Sequence, residues 1–164
     1  MYNFTEELKK IHVFLMKHKL SIATAESCTG GFISKSITDL SNSSKYYKGS
    51  IIAYSNEVKV DILGIPEKII NNYGAVSEQV SVEMACGLLK ILKSDFALSV
   101  TGIMEKNDDY SCKEPQVFLT IKSLHYQTTY FQDLFGSRDD NRKKTVYFAF
   151  NCLYDFINKN YLLS

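Results

Sequence analysis

Ser27 lies in a short segment, ESCTGG, whose residue types suit nucleophilic chemistry. The apolar run before it, residues 20–25, predicts a buried strand, and the residues after it predict a helix. A serine at such a turn is held rigidly, and the amides that follow lie near a helix N-terminus, where partial positive charge gathers. Thr29, Gly30 and Gly31 therefore predict an oxyanion hole or an anion-binding turn. Serine and threonine are also ordinary helix caps, so this motif alone fits a structural turn equally well.

A serine hydroxyl attacks poorly unless a neighbouring base takes its proton. None of the three histidines lies in this turn or in the other polar turns, so the sequence does not support a serine–histidine pair. Lys59 and Tyr54 are the alternatives: Tyr54 is expected to end the second strand, and Lys59 follows it by about one helical turn. A lysine acts as a base only when burial or nearby cations lower its pKa. An isolated lysine is more often a solvated surface residue, and that interpretation stays open at this point.

Further polar residues mark other strand ends. Thr101 and Gly102 are expected to end the third strand, and Asn56 follows the second one. Ligands of open α/β sheets bind beyond the carboxyl ends of the strands, so these residues are candidates for ligand contacts. Arg138 and Arg142 lie one turn apart on the last predicted helix and can bind a phosphate or carboxylate. From spacing alone, a surface pair that balances the neighbouring aspartates is the stronger interpretation of these arginines.

The overall composition excludes several function classes. With 19 basic and 18 acidic residues the net charge is +1, which provides no general field for nucleic acid or an anionic membrane. No apolar run approaches the roughly 20 residues of a membrane-spanning helix, and the amphipathic N-terminus lacks the features of a signal peptide. The four cysteines have no metal-ligand spacing. We therefore expect a cytoplasmic protein with reduced thiols and no metal or cofactor.

The elements that position these residues follow from the apolar periodicity. Strands are predicted at residues 20–25, 50–54, 96–100, 117–121 and 126–134, the last two as an antiparallel pair. Helices are predicted at residues 5–18, 32–40, 56–63 and 66–72, after a cap at Ser77, and at 138–158. On the first helix, which Thr5 can cap, the apolar residues are Leu8, Ile11, Val13, Leu15 and Met16. Strands that alternate with helices before two consecutive strands predict a mixed sheet with helices on both faces.

Five short stretches, taken together and in order, resemble the CinA C-terminal domain family, the nicotinamide-nucleotide amidohydrolases. They are TAESCTGG at residues 24–31, YSNEVK at 54–59, GAVSE at 74–78, VTGI at 100–103 and FGSR at 135–138, with Arg142. The resemblance covers about residues 5–157. It implies a three-layer α/β/α fold with a mixed, mostly parallel sheet of about five strands, in a single domain of residues 1–164. It also implies the stand-alone form of a family in which many members carry an extra N-terminal domain linked to ADP-ribose hydrolysis.

The resemblance further implies hydrolysis of the carboxamide of nicotinamide mononucleotide to nicotinate mononucleotide and ammonia. The implied roles are nucleophile for Ser27, general base for Lys59 and proton-transfer aid for Tyr54, with an acyl-enzyme intermediate. No metal is required by this mechanism.

The remaining implied roles concern binding. Amides near Thr29 and Gly30 are expected to stabilise the oxyanion, and Thr101 and Arg138 are expected to hold the nucleotide. A homodimer is compatible with the resemblance, although no heptad pattern or other signal in the sequence fixes the oligomeric state. A small-molecule nucleotide is therefore the expected ligand, and nucleic acid and membranes are not.

The segment 104–116 departs from the family pattern. The family usually has a Gly- and Pro-rich loop followed by KPVGTV, whereas this chain has MEKNDDYSCKEPQ. The glycines are absent, Glu105, Asp108 and Asp109 have entered, and Gln116 replaces a downstream glycine. Side chains and negative charge hinder a close approach to phosphate. A catalytically weak or inactive nucleotide-binding module is therefore an alternative prediction, and a phosphate-ester hydrolase that uses a divalent ion is a third.

Overall fold

The computed structural model describes residues 6–106 and 114–162. The strands are β1 Ile22–Glu26, β2 Tyr47–Ile52, β3 Phe96–Ile103, β4 Gln116–Lys122 and β5 Gln127–Asp133. The α-helices are α1 Glu6–His18, α2 Phe32–Thr38, α3 Asn56–Asp61, α4 Glu67–Tyr73, α5 Glu78–Leu92 and α6 Arg138–Ile157. The predictions that concern Thr5, Asp108, Asp109 and Cys112 lie outside the described residues.

The five strands form one sheet in the order β2-β1-β3-β4-β5. β1 pairs in parallel with both β2 and β3, whereas β4 pairs antiparallel with both β3 and β5. Within this sheet, β4 therefore runs against the direction of the other four strands. This arrangement confirms the predicted mixed, mostly parallel sheet and its antiparallel pair.

Helices cover both faces of the sheet, which confirms the three-layer α/β/α fold. On one face, α5 packs against β1 and β3, where Ala23, Ala25 and Ala97 are small enough to let the helix lie close. On the other face, the core joins strand residues such as Leu98 and Leu119 to α1, α2 and α6. Because side chains alternate along a strand, β3 contributes to both cores.

The strand order creates a cleft at the carboxyl ends of β1 and β3. The chain leaves β1 toward β2 on one side and then passes through α3, α4 and α5 to β3 on the other side. Ligand sites of open α/β sheets lie where connections diverge in this way. Ser27 directly follows β1, and its amide donates a hydrogen bond to the Val100 carbonyl of β3 at 3.0 Å. The serine is therefore fixed at the point where the fold predicts a site.

Some element boundaries differ from the predictions. Glu26 is the last residue of β1 rather than the first residue of the turn. β2 begins earlier than predicted and ends two residues before Tyr54. Thr101 and Gly102 lie inside β3, because β4 pairs with them and prolongs the strand. The polar residues nevertheless stay at the same edge of the sheet.

Helix α1 buries Leu8, Ile11, Phe14 and Leu15, and it packs against α6. Val13 was predicted on this apolar face but is 61% exposed. Two residues after Ile11, a side chain points roughly 200° away around the helix. Phe14 takes the expected place in the core, so the correction concerns one position and not the helix.

The described ranges contain no helix with the length and hydropathy needed to span a lipid bilayer. In the same ranges, no three His, Cys, Asp or Glu side chains come together as metal ligands. Cys28, Cys86 and Cys152 are free thiols.

Candidate active site

Ser27 lies in the wall of a small cavity beyond the carboxyl ends of β1 and β3. The cavity has a volume of about 110 Å³, and its wall contains Ser27, Cys28, Tyr54, Asn56, Lys59, Ala75, Val76, Thr101, Gly102, Ile103, Met104, Glu105 and Arg138. Seven of the eleven residues that the sequence predicts for the site are among them. The fold therefore brings together residues from the ends of three strands and from the start of α6.

Lys59 reaches Ser27 from the next strand–helix unit. It lies on α3, which Ser55 caps with its side chain. Its Nζ lies 3.3 Å from Ser27 Oγ and donates to the carbonyls of Ala53 at 2.9 Å and Tyr54 at 3.4 Å. The residue is only 2% exposed, and this burial lowers the pKa of its amine below the ordinary value of 10.5. The interpretation of Lys59 as a solvated surface residue is therefore wrong.

These contacts suit both forms of the Lys59 amine, because an ammonium has three N–H donors for the three oxygens. A neutral amine has two N–H groups, which match the two carbonyl acceptors. In that form its lone pair can face Ser27 Oγ, 3.3 Å away, and accept the hydroxyl proton, whereas the ammonium donates to Oγ. A base must lie within hydrogen-bonding reach of the proton that it abstracts, and its pKa must be near the working pH. The distance meets the first requirement, and burial moves the pKa toward the second.

Glu26 supports this site from outside the cavity wall and was not among the predicted site residues. It is fully buried, and its carboxylate accepts hydrogen bonds from the Thr29 hydroxyl at 2.6 Å and from the amides of Gly31, Ile33 and Ser34 at 2.8 to 3.1 Å. The first amides of a helix have no partner within the helix. The carboxylate therefore satisfies the start of α2 and fixes the turn after β1.

The same contacts change the interpretation of the turn as an anion-binding site. Thr29, Gly30 and Gly31 lie outside the cavity wall. The Gly31 amide is bound to Glu26, and the Gly30 amide donates to the Ser27 carbonyl at 3.2 Å. Both glycines have left-handed φ values, 60° and 94°, which residues with a side chain rarely adopt. In the structure these residues therefore shape the turn that carries the serine.

The two arginines of α6 have different surroundings. Arg142 donates to the Thr29 carbonyl at 2.7 Å and so ties α6 to the turn after β1. Arg138, one helical turn earlier, lines the cavity. The nearby Asp139 pairs with Lys143 at 2.5 Å. The predicted ligand contact is thus compatible with the position of Arg138, whereas Arg142 supports the turn from outside the cavity wall.

Thr101 and Gly102 form part of the cavity wall from within β3. The Thr101 hydroxyl donates to the Ala75 carbonyl at 2.9 Å, which holds the loop between α4 and α5 against the sheet. At Gly102 a Cβ atom would lie 2.5 Å from the Gln116 carbonyl oxygen and 3.2 Å from Cys28 Sγ. Only glycine therefore fits there, and both residues control the shape of the cavity.

Cys28 follows Ser27 and also lines the cavity, so it is a second nucleophile type at the site. Burial raises the pKa of its thiol to about 12. The thiol is therefore protonated at neutral pH, and a protonated thiol is a poor nucleophile. The Ser27 hydroxyl, which has an amine beside it, is the better candidate.

Tyr54, Glu105 and Arg138 form the mouth of the cavity. The Tyr54 residue is 62% exposed, and its hydroxyl accepts a hydrogen bond from Arg138 Nη2 at 2.9 Å. Arg138 Nη1 donates to Glu105 Oε1 at 3.3 Å. Tyr54 contacts Lys59 through its backbone carbonyl. This geometry does not support the predicted role of the Tyr54 phenol in proton transfer, because the phenol is turned to the arginine.

The sequence matches a known family over most of its length. The family model of the CinA C-terminal domain matches residues 5–157. The chain belongs to the CinA C-terminal domain family. A CinA-like protein of Endomicrobium trichonymphae is 42% identical over 141 residues, which are 85% of this chain and 33% of that protein. A CinA-like protein of Petrotoga mobilis is 37% identical over 155 residues, which are 90% of this chain and 37% of that protein. This CinA domain thus spans about a third of the length of these relatives.

Solved structures agree with the family membership. The competence or damage-inducible protein from Enterobacter asburiae matches with a TM-score of 0.88 and 28% identity, over 96% of this chain and 99% of that one. The competence/damage inducible protein CihA from Agrobacterium tumefaciens matches with a TM-score of 0.82 and 30% identity, over 93% and 97% of the two chains. This CinA domain therefore shares its fold with both solved structures over more than 90% of its length.

Proposed function

We propose that this CinA domain hydrolyses the carboxamide of nicotinamide mononucleotide and releases nicotinate mononucleotide and ammonia. The observation that carries the proposal is the 3.3 Å distance between the buried Lys59 amine and the Ser27 hydroxyl. A desolvated amine beside a serine can activate the hydroxyl without a histidine. The family membership directs the proposal to the amide of a pyridine nucleotide.

In the first step, Ser27 Oγ forms a bond to the carboxamide carbon while Lys59 Nζ takes the hydroxyl proton. The C–N bond of the tetrahedral intermediate then breaks, and the Lys59 ammonium returns the proton to the leaving nitrogen, which departs as ammonia. The result is an acyl ester on Ser27 and a neutral Lys59. The Ala53 and Tyr54 carbonyls stabilise the transient ammonium, because both already accept hydrogen bonds from Lys59 Nζ before the reaction begins.

In the second step, water attacks the ester carbonyl, and Lys59 takes a proton from the water. When the ester C–O bond breaks, the proton passes to Ser27 Oγ and the nicotinate mononucleotide leaves. Lys59 therefore acts as base and as acid once in each half of the reaction. The 3.3 Å distance to Ser27 Oγ serves the two transfers that involve the serine, and the same amine exchanges a proton with the leaving nitrogen and with water.

The cavity dimensions support partial enclosure of the substrate. A volume of about 110 Å³ is well below the roughly 300–1,000 Å³ of pockets that enclose a whole drug-sized ligand. We therefore assign the interior to the carboxamide and its ring, and the mouth beside Tyr54 and Arg138 to the ribose and phosphate. Asn56 in the cavity wall offers a side-chain amide that can donate to or accept from the substrate.

A second candidate function is nucleotide binding without turnover. One observation favours it: Glu105, from the segment that departs from the family pattern, contacts Arg138 at the mouth. A carboxylate at this position opposes the approach of an anionic nucleotide. Sustained turnover of an amide by the purified protein would exclude this candidate.

The test is ammonia release from nicotinamide mononucleotide by the purified protein. We expect Ser27→Ala to lower the rate at least about 10³-fold, because the nucleophile is removed. Ser43→Ala is the matched control, since Ser43 is also 8% exposed but lies outside the cavity wall, and its rate should stay close to that of the wild type. Equal release by the wild type and Ser27→Ala would contradict the assigned nucleophile. Nucleotide binding by calorimetry without ammonia release would favour the second candidate.

A further inference from the structure

The charges in the cavity wall cancel at its mouth. Among the described residues that line the cavity, those with charged side chains are Lys59, Arg138 and Glu105. Lys59 lies inside the cavity, where burial disfavours the charged form of its amine. The remaining pair at the mouth has one positive and one negative charge. A phosphate that enters the mouth therefore meets a cation that already has a counter-ion.

Arg138 is engaged on two sides at this mouth. It donates from Nη2 to the Tyr54 hydroxyl at 2.9 Å and from Nη1 to Glu105 Oε1 at 3.3 Å. The Arg138 and Glu105 side chains are 44% and 51% exposed, so a ligand at the mouth can reach both. A guanidinium binds phosphate oxygens through the same N–H groups that bind a carboxylate. Glu105 and a phosphate therefore compete for one cation.

We propose that Glu105 is a specificity residue that suppresses the preference of this site for a phosphate-bearing substrate. This inference rests on the proposed function and narrows its substrate class. A phosphate gains attraction to Arg138 but meets repulsion from Glu105, so its net contribution to binding is small. The site accepts nicotinamide riboside, which has the same ring and amide without the phosphate, with an affinity close to that for nicotinamide mononucleotide.

A comparison of these two ligands isolates the phosphate. Both carry the same positively charged pyridinium ring, which Glu105 attracts equally in either ligand. That attraction cancels in the ratio of the two dissociation constants. The ratio therefore reports the interaction of the phosphate with the mouth and nothing that concerns the ring or the amide.

The experiment measures both dissociation constants by calorimetry in two proteins, Ser27→Ala and Ser27→Ala with Glu105→Gln. The glutamine keeps the size of the side chain and removes its charge. We expect the riboside constant divided by the mononucleotide constant to rise about tenfold, equivalent to about 1.4 kcal/mol. The rise should shrink at high salt, because exposed charges are screened.

Glu114→Gln in the Ser27→Ala background is the matched control. Glu114 belongs to the same segment and carries the same charge, but it pairs with Lys106 at 2.6 Å and lies outside the cavity wall. The ratio should therefore stay unchanged in this control. An unchanged ratio with Glu105→Gln, an equal rise with Glu114→Gln, or no binding of either ligand would overturn the proposal.

Activity assays on the wild type separate this inference from the proposed function. If the wild type hydrolyses either amide and Glu105→Gln leaves the ratio of the two dissociation constants unchanged, the specificity inference fails and the hydrolytic function stands. If the ratio responds while neither amide is hydrolysed, Glu105 is confirmed as a specificity residue of a binding site and the hydrolytic function fails.

Discussion

The surroundings of the β1 end and the segment after β3 lie side by side at one edge of the sheet, yet they hold their charged groups in opposite ways. Beside β1, Glu26 and Lys59 are buried, and each has three or more hydrogen-bonding partners. After β3, Glu105 and Lys106 are more than half exposed, and each takes part in a surface ion pair. Exposed ion pairs contribute little to stability, whereas removing one member of a buried, hydrogen-bonded group is costly.

Under the proposed function, the contrast separates two tasks within one cavity. Atoms that react must keep a fixed distance, and the buried contacts around Ser27 and Lys59 provide it. Residues that select a ligand need only present a charge at the mouth, and Glu105 does so from a surface position. A chain can therefore keep the serine and lysine of its family while the segment 104–116 changes its residues.

Replacement of Lys59 should give the largest effect and tests the buried region most directly. Lys59→Met keeps a side chain of similar length and removes the base, so we expect amide hydrolysis to fall about 10³-fold. Lys106→Met removes an exposed lysine from the segment after β3 and should leave the rate close to that of the wild type. Circular dichroism checks that both variants fold. Similar rates for the two variants would show that the buried lysine has no special role.

The pH dependence of the reaction should be the next largest effect. Only the neutral Lys59 amine can take the serine proton, so kcat/KM should rise about tenfold per pH unit below the pKa of Lys59 and level off above it. Because burial lowers this pKa, the plateau should begin below pH 10.5. A profile that falls with rising pH through this range would contradict the assignment of the base.

The same pKa shift has a consequence for stability. Between the folded pKa of Lys59 and its unfolded value of 10.5, the unfolded chain binds more protons, so the free energy of unfolding should rise with pH. This contribution is complete above the unfolded pKa and is lost as the pH falls through the folded one. The difference between the wild type and Lys59→Met in denaturant unfolding at several pH values measures it.

Substitution of Glu26 should lower the stability of the fold more than substitution of an exposed acidic residue in the segment after β3. Glu26→Gln keeps the shape but replaces an acceptor oxygen by an NH₂ group, which leaves buried amides of α2 unpaired. We expect a loss of about 2–3 kcal/mol in the free energy of unfolding. Glu114→Gln, in the exposed segment, should change it by less than about 0.5 kcal/mol. Urea unfolding compares the two, and equal losses would remove the distinction between the regions.

Substitutions of the two arginines of α6 should give the smallest effects on stability, and they compare two residues that lie one helical turn apart. Arg142→Met removes the side-chain donor to the Thr29 carbonyl, which keeps the hydrogen bond from the Phe32 amide, and should lower stability by about 1 kcal/mol. Arg138→Met should lower it by less than about 0.5 kcal/mol and change the KM for the nucleotide instead. Unfolding curves and steady-state kinetics on both variants would reveal a reversed pattern if Arg142 were the ligand-binding residue.

Much of the fold and the central pair of the site can be predicted from the sequence. The apolar runs that form β1 and β3 identify buried strands, and two close strands before the last helix predict the antiparallel pair. Ser27 and Lys59 each follow a predicted strand, and neighbouring parallel strands place such residues at one edge of a sheet. Their distance depends on the register of β1 with β2, where Glu26 lies opposite Ile52, and no sequence pattern specifies that register.

The role of Glu26 could not be predicted because it depends on a long-range turn geometry. Capping rules search for an acceptor directly before a helix, or for an acid three residues after the cap. Glu26 lies in a strand, six positions before Phe32, where α2 begins. Likewise, the contact of Tyr54 with Arg138 joins residues 84 positions apart and has no local signal.

The contact between Ser27 and Lys59 joins residues 32 positions apart on two adjacent strand–helix units. A newly synthesised chain therefore holds only an ordinary alcohol and a hydrated, protonated amine, because neither is altered until β2 docks beside β1. Labelling by a serine-directed acylating probe would thus report the docking of these two units during refolding. Because Ser27 becomes reactive only after this docking, the nascent chain does not carry an activated serine.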